Sequence, residues 1–99
     1  MTNKVIGMLG LARKSGKLIV GFDALTTHLK KNRIPLVIIA KDASDKGKQN
    51  MIFYCEKQET NYLEFSSKEE LGRILNRLEV SFVGIKDRNM AEYVVKQSK

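Results

Sequence analysis

The chain contains no tryptophan, one cysteine, one proline and one histidine, and no run of apolar residues approaches the roughly 20 that a membrane span requires. A single cysteine excludes an internal disulfide, and with a single histidine it leaves no His/Cys cluster at metal-site spacing. No cofactor is expected. With one proline and no low-complexity tract there is no linker, and 99 residues suffice for one modest core but not two. A single domain over residues 1–99 is therefore expected. The N-terminus lacks the apolar core of a signal peptide, which points to a cytoplasmic protein without a membrane partner.

Acidic residues are scarce in one half of the chain only. Residues 1–50 carry ten Lys and Arg against Asp23, Asp42 and Asp45, whereas residues 51–99 are balanced, so the formal charge of +7 originates in the first half. A one-sided surplus in so small a domain tilts toward a polyanionic partner, nucleic acid ahead of membrane, because no basic amphipathic helix offers an aromatic face to lipid.

The stretch RKSGKLIVGFDAL, Arg13 to Leu25, concentrates that signal. It is not a phosphate-binding P-loop. The first glycine of that motif would fall at Leu11, Gly10 is one position too early, and Leu18 replaces the Ser or Thr that holds Mg²⁺. There is no Gly-x-Gly-x-x-Gly, paired acid or catalytic triad, so no enzymatic activity is expected.

Periodicity divides the chain into alternating elements. Val5, Met8, Leu9 and Ala12 mark a helix from about Asn3 to Ser15, with Thr2 or Asn3 as cap and Gly16 at its C-terminal end. KLIV reads as a strand, Gly21 turns the chain, and a helix follows from about Phe22 to Lys31 with Leu25 and Leu29 inward. After Pro35, the β-branched run LVIIA reads as a central strand buried on both faces. Ser44 opens a third helix with Met51, Ile52 and Cys55 inward. NYLEF alternates as a strand, SSKEELGRIL has Ser and Glu at capping-box spacing, SFVGI is a strand and NMAEYVVKQ a last helix. The expected fold is α/β: a three-layer α/β/α sandwich around a small mixed sheet of about four strands, with the basic residues clustered at adjoining ends of its first elements. Cys55 reads as a small buried hydrophobe, His28 as a partly exposed helix residue, and Asp42 as a cap on the turn after its strand.

From Gly21 through LKKNRIPLVIIAKDAS, then CEKQETNYLEFSSKEELG and the LEV before FVGI, the chain resembles the kink-turn RNA-binding superfamily of small ribosomal proteins, notably its bacterial ribosomal-protein-like members. The matched order includes Gly16-Lys17, Ile39-Ala40 with Asp42, Cys55-Glu56, Tyr62, Ser67-Lys68, Leu71-Gly72 and Leu78-Glu79-Val80. The resemblance implies a monomeric, non-enzymatic binder of structured RNA, ribosomal or regulatory, with the ribosome as one setting. It implies that the helix beginning at Gly21 is pushed into the RNA. Lys14, Lys17, Lys31 and Arg33 would flank that end and neutralise phosphates, Gly16 is counted with the RNA-binding residues, and Leu78, Glu79 and an exposed Val80 would form an apolar cap on unstacked nucleotides. After the glycine, the family's kink-turn readers carry a small residue, then Asn-Glu, then a Lys three positions beyond the Glu; here those positions hold Phe22, Asp23, Ala24 and Thr27. Phe22 reads either as a stacking surface for a base or as core. The alternative function is a protein-interaction or assembly factor on the same fold, without base readout.

Overall fold

A computed structural model describes residues 2–98, with side chains from Lys4 onward. Helix α1 (Thr2–Lys14) buries Val5, Leu9 and Ala12 completely. Gly16, at φ 69°, follows its end, and the Lys17 amide donates to the Ala12 carbonyl at 2.9 Å. A cap from Thr2 or Asn3 would rest on side chains outside the described residues. Strand β1 (Leu18–Val20) leads through Gly21 into α2 (Phe22–Lys31), whose Leu25 and Leu29 are fully buried. Strand β2 (Leu36–Ile39) precedes α3 (Asp45–Lys57), β3 (Asn61–Glu64), α4 (Lys68–Ile74), β4 (Phe82–Ile85) and α5 (Arg88–Gln97).

The sheet is mixed, ordered β1-β4-β2-β3: β4 runs antiparallel to both β1 and β2, while β3 runs parallel to β2. Central strands are shielded on both faces, which is why all residues of β2 and β4 are buried. Strand β3 lies on an edge, and its expected alternation gives way to two exposed residues, a half-buried Leu63 and an exposed Glu64. Helices α2 and α3 pack side by side, α1 packs on α5, and together with the sheet they complete the α/β/α sandwich.

Side-chain caps fix three helix starts. Ser44 Oγ accepts from the Gly47 amide, Ser67 Oγ from Glu70, and Asp87 Oδ1 from Met90. The capping box expected at Ser67 is half formed, because the Glu70 carboxylate accepts the Ser66 hydroxyl rather than reaching back to the Ser67 amide. Asp42 accepts from the Lys68 amide at 2.8 Å, tying the loop after β2 to the start of α4.

Among the described residues one buried hydroxyl is unmatched. Thr60 is 5% exposed and its Oγ1 finds no hydrogen-bond partner. Desolvating an unpaired hydroxyl costs about 1–3 kcal/mol, so the isosteric Thr60→Val should stabilise the fold by about 1 kcal/mol and raise the melting temperature by roughly 4–8 °C. An unchanged or lower melting temperature would count against that.

Candidate nucleic-acid interface

The sheet has two ends, conveniently named by β4: one at Phe82, the other at Ile85. Gly21 lies at the Phe82 end, its amide donating to the Phe82 carbonyl at 2.9 Å. Its φ of 104° and ψ of 155° belong to a region reserved essentially for glycine, yet a Cβ there would meet nothing within 4 Å. The backbone conformation demands glycine, and the space before it is open. Gly21 offers α2 no side-chain cap, in contrast to the starts of α3, α4 and α5. The first-turn N–H groups and the positive end of the helix dipole thus face that open space. Asp23, Ala24 and Thr27 are exposed on the first turns. Phe22 is half-buried, its ring edge-on to Phe82 at 5.6 Å between centroids, so of the two readings of this ring the structure takes the core one.

The second part of this end is the loop from Asn76 to Ser81. It folds back along α4, with the Arg77 amide on the Gly72 carbonyl at 2.7 Å and the Val80 amide on Lys68 at 3.0 Å. Gly72 makes this return possible: a Cβ there would lie 2.5 Å from the Leu78 carbonyl oxygen and 2.8 Å from that of Arg77, and backbone atoms cannot swing aside as a flexible side chain can. Asn76, at φ 60°, takes the left-handed conformation that this residue type tolerates. Leu78 is 93% exposed and Glu79 is exposed, so an apolar side chain does project here.

Two sequence expectations are corrected. Val80 is 4% exposed and packs in the core, because the return toward β4 turns it under the loop; Leu78 is the apolar residue offered to solvent. Nor do Lys14, Lys17, Lys31 and Arg33 flank Gly21. The Lys17 carbonyl accepts from the Lys86 amide at 2.8 Å, which places Lys17 at the Ile85 end, about 13 Å of strand from Gly21. Lys14 and Gly16 precede it there. Lys31 ends the ten-residue α2, about 15 Å from its start, and Arg33 donates from Nε and Nη2 to the Glu59 carbonyl just before β3 begins. These residues do converge at adjoining ends of the first elements, but on the far end of the sheet.

Over residues 3–95 the sequence matches the family described as Ribosomal protein L7Ae/L30e/S12e/Gadd45. The chain belongs to that family. Among its relatives, an RNA-binding protein YlxQ of Bacillus subtilis (strain 168) is 25% identical over 88 residues, covering 89% of this chain and 88% of that one. A large ribosomal subunit protein eL8 of Cenarchaeum symbiosum (strain A) is 28% identical over 98 residues, 98% of this chain and 78% of the relative. The fold matches that of a Bacillus halodurans protein of unknown function with a TM-score of 0.88 at 22% identity, covering 94% of both chains. It also matches a Giardia lamblia 15.5kD RNA binding protein with a TM-score of 0.80 at 20% identity, over 96% of this chain and 84% of the other.

The electrostatics of this L7Ae/L30e/S12e/Gadd45 family member are uneven. At the Phe82 end, Asp23, Asp42, Asp45, Glu64, Glu70 and Glu79 accompany Lys41, Lys46, Lys48, Lys68 and Arg77, so the signs nearly cancel, and Lys48 is committed to Glu64 at 3.1 Å. Among the described residues no group of three or more His, Cys, Asp or Glu is placed to hold a metal ion. None of their helices is long and apolar enough to cross a membrane. Cys55 is fully buried, and burial, with the nearby Glu56 carboxylate, pushes its thiol up to about 11. It stays a protonated core side chain, as read from its place on the helix.

Proposed function

We propose that the protein binds structured RNA of the kink-turn type with the Phe82 end of its sheet, acting as a monomer on ribosomal or regulatory RNA in the cytoplasm. The observation that carries this reading is that the uncapped start of α2 at Gly21 and the loop that projects Leu78 lie at the same end of the sheet. Unsatisfied backbone N–H groups suit phosphate oxygens and base edges, while an exposed aliphatic side chain suits the face of an unstacked nucleotide. Family membership and the RNA-binding relatives support it. The test is a titration at fixed salt against a kinked RNA and a straight duplex of the same composition. Wild type should prefer the kinked RNA by tenfold or more, and Leu78→Asp should erase most of that preference without lowering the melting temperature. Equal binding of both RNAs by wild type would defeat the proposal.

A second reading, a protein-interaction or assembly factor, draws on the carboxylates of Asp23 and Glu79 at this end, which repel phosphate. RNA absorbing at 260 nm that copurifies with the protein and leaves in high salt favours the first reading; protein purified free of RNA at low salt favours the second.

A further inference from the structure

The Ile85 end holds the charge that the Phe82 end lacks. Lys14 closes α1, Lys17 precedes β1, Lys31 closes α2, Arg33 precedes β2, and Lys86 and Arg88 follow β4; all six are exposed. The pairing of Leu18 with Ile85 and of Leu36 with both Ile85 and Asn61 brings these chain segments together across the sheet. The carboxylates on this side are Glu56, Glu59, Asp87 and Glu92, and Asp87 is engaged in capping α5. The ion pairs among the described residues, Lys48–Glu64 and Arg73–Glu69, form elsewhere.

Cations in the last turn of a helix are ordinarily explained by the helix dipole, which accounts for Lys14 and Lys31. It does not account for Lys17, Arg33 and Lys86, which lie outside helices, and it disfavours Arg88, the first residue of α5. Like charges brought together without internal partners destabilise a small fold unless something external offsets them. A groove of about 500 Å³ opens on the same side between α5 and the start of β2 and β3, with Arg33, Arg88 and Lys96 facing Glu59 and Glu92 along its walls. The Arg33 guanidinium is already held there by the Glu59 carbonyl, at 3.0 Å from Nη2, so its remaining donors are pre-oriented.

We propose that the Ile85 end is a second RNA-binding surface, which holds the phosphodiester backbone of an RNA duplex without reading its sequence. Cations spread over several elements around a groove fit a ribose-phosphate strand. An anionic bilayer fits less well, because the large exposed apolar residues Leu11, Phe53, Tyr62 and Leu78 are spread over two helices, a strand and a loop rather than along one helix face. The two ends then divide the work: the Phe82 end selects the kink, and the Ile85 end supplies affinity that depends on salt.

The test measures binding of the full-length protein to a plain RNA duplex and to the same duplex interrupted by a kink-turn, across a salt series. In Lys17→Gln/Lys86→Gln/Arg88→Gln the magnitude of the slope of log K against log salt should fall by roughly 2 units on both RNAs, with tenfold or more weaker binding at low salt, while preference for the kink persists. Lys41→Gln/Lys46→Gln, at the other end, is the control on the plain duplex, where it should change the slope by less than about half as much. An unchanged slope in the triple variant, an equal fall in the control, or wild-type binding to anionic vesicles but not to duplex RNA would each overturn the proposal. Loss of kink preference by Leu78→Asp with the salt slope intact separates the two surfaces. If wild type shows no kink preference at all yet the triple variant still loses slope on plain duplex, the reading of the Phe82 end fails and this one stands. The substituted side chains are exposed and make no hydrogen bond within the described residues; a melting curve for each variant, matching wild type, shows that the effect is on binding.

Discussion

Val80→Asp is expected to lower stability by about 3–5 kcal/mol, while Leu78→Asp, two residues away in the same loop, changes it by less than about 0.5 kcal/mol. The contrast follows from burial. Val80 is 4% exposed within the central apolar cluster and Leu78 is 93% exposed. A carboxylate at position 80 has no cation beside it in that cluster and must either carry its charge into the core or take up a proton. For a domain of this size the loss amounts to a melting temperature roughly 12–40 °C lower. The pH dependence has a definite sign. A carboxyl buried at position 80 has its pKa raised in the folded state, so the penalty is full at neutral pH and shrinks as pH falls through that raised value toward the unfolded one near 4. The gap between variant and wild type therefore narrows on acidification. Thermal melts of both variants at pH 7 and pH 5 decide it: similar melting temperatures for the two at pH 7 would place Val80 at the surface after all.

The element boundaries were legible because local chemistry determines them. Pro35 and the β-branched run after it specify a strand, Gly21 and the Leu25/Leu29 spacing specify α2 as found, and Ser44 and Ser67 cap as their positions indicate. The candidate site was less legible, for two physical reasons. Inside a short return loop there is no periodicity to distinguish an inward residue from an outward one, so Leu78 and Val80 look alike in sequence; the fact that separates them, the close passage of this loop over Gly72, is tertiary. Proximity along the chain also misleads. Lys17 and Gly21 are neighbours in sequence, yet the intervening strand carries them to opposite ends of the sheet. Conversely, Lys86 and Arg88 are far from Lys17 in sequence and reach it only through the pairing of β1 with β4. The charge surplus of the first half was visible; the end of the molecule that displays it required topology.

The largest gain in RNA discrimination is expected from Asp23→Asn/Ala24→Glu/Thr27→Lys. All three positions are exposed on the first turns of α2, ahead of an open Gly21, so the substitutions meet solvent rather than core. Asp23 as a carboxylate only accepts hydrogen bonds, and it sets negative charge where phosphate would approach; Asn both donates and accepts. Glu at position 24 is an acceptor for guanine N–H groups, stabilised as an anion by the start of the helix. Lys at position 27 lies one turn further on, on the same face as positions 23 and 24, and adds a cation that also pairs with Glu at i,i+3. Each well-formed base contact contributes on the order of 1–3 kcal/mol of discrimination, so the variant should bind a kink-turn RNA some tenfold to several hundredfold more tightly than the same RNA with its G·A pairs replaced. Wild type, lacking these contacts, should recognise the bend rather than the bases and separate the two RNAs less sharply than the variant. The measurement is a titration of both proteins against both RNAs at one salt concentration, with melting curves to show that the variant is folded. If the folded variant gains no preference for G·A pairs, α2 does not enter the RNA by its Gly21 end; if wild type already discriminates as sharply, Asp23, Ala24 and Thr27 are no handicap to recognition.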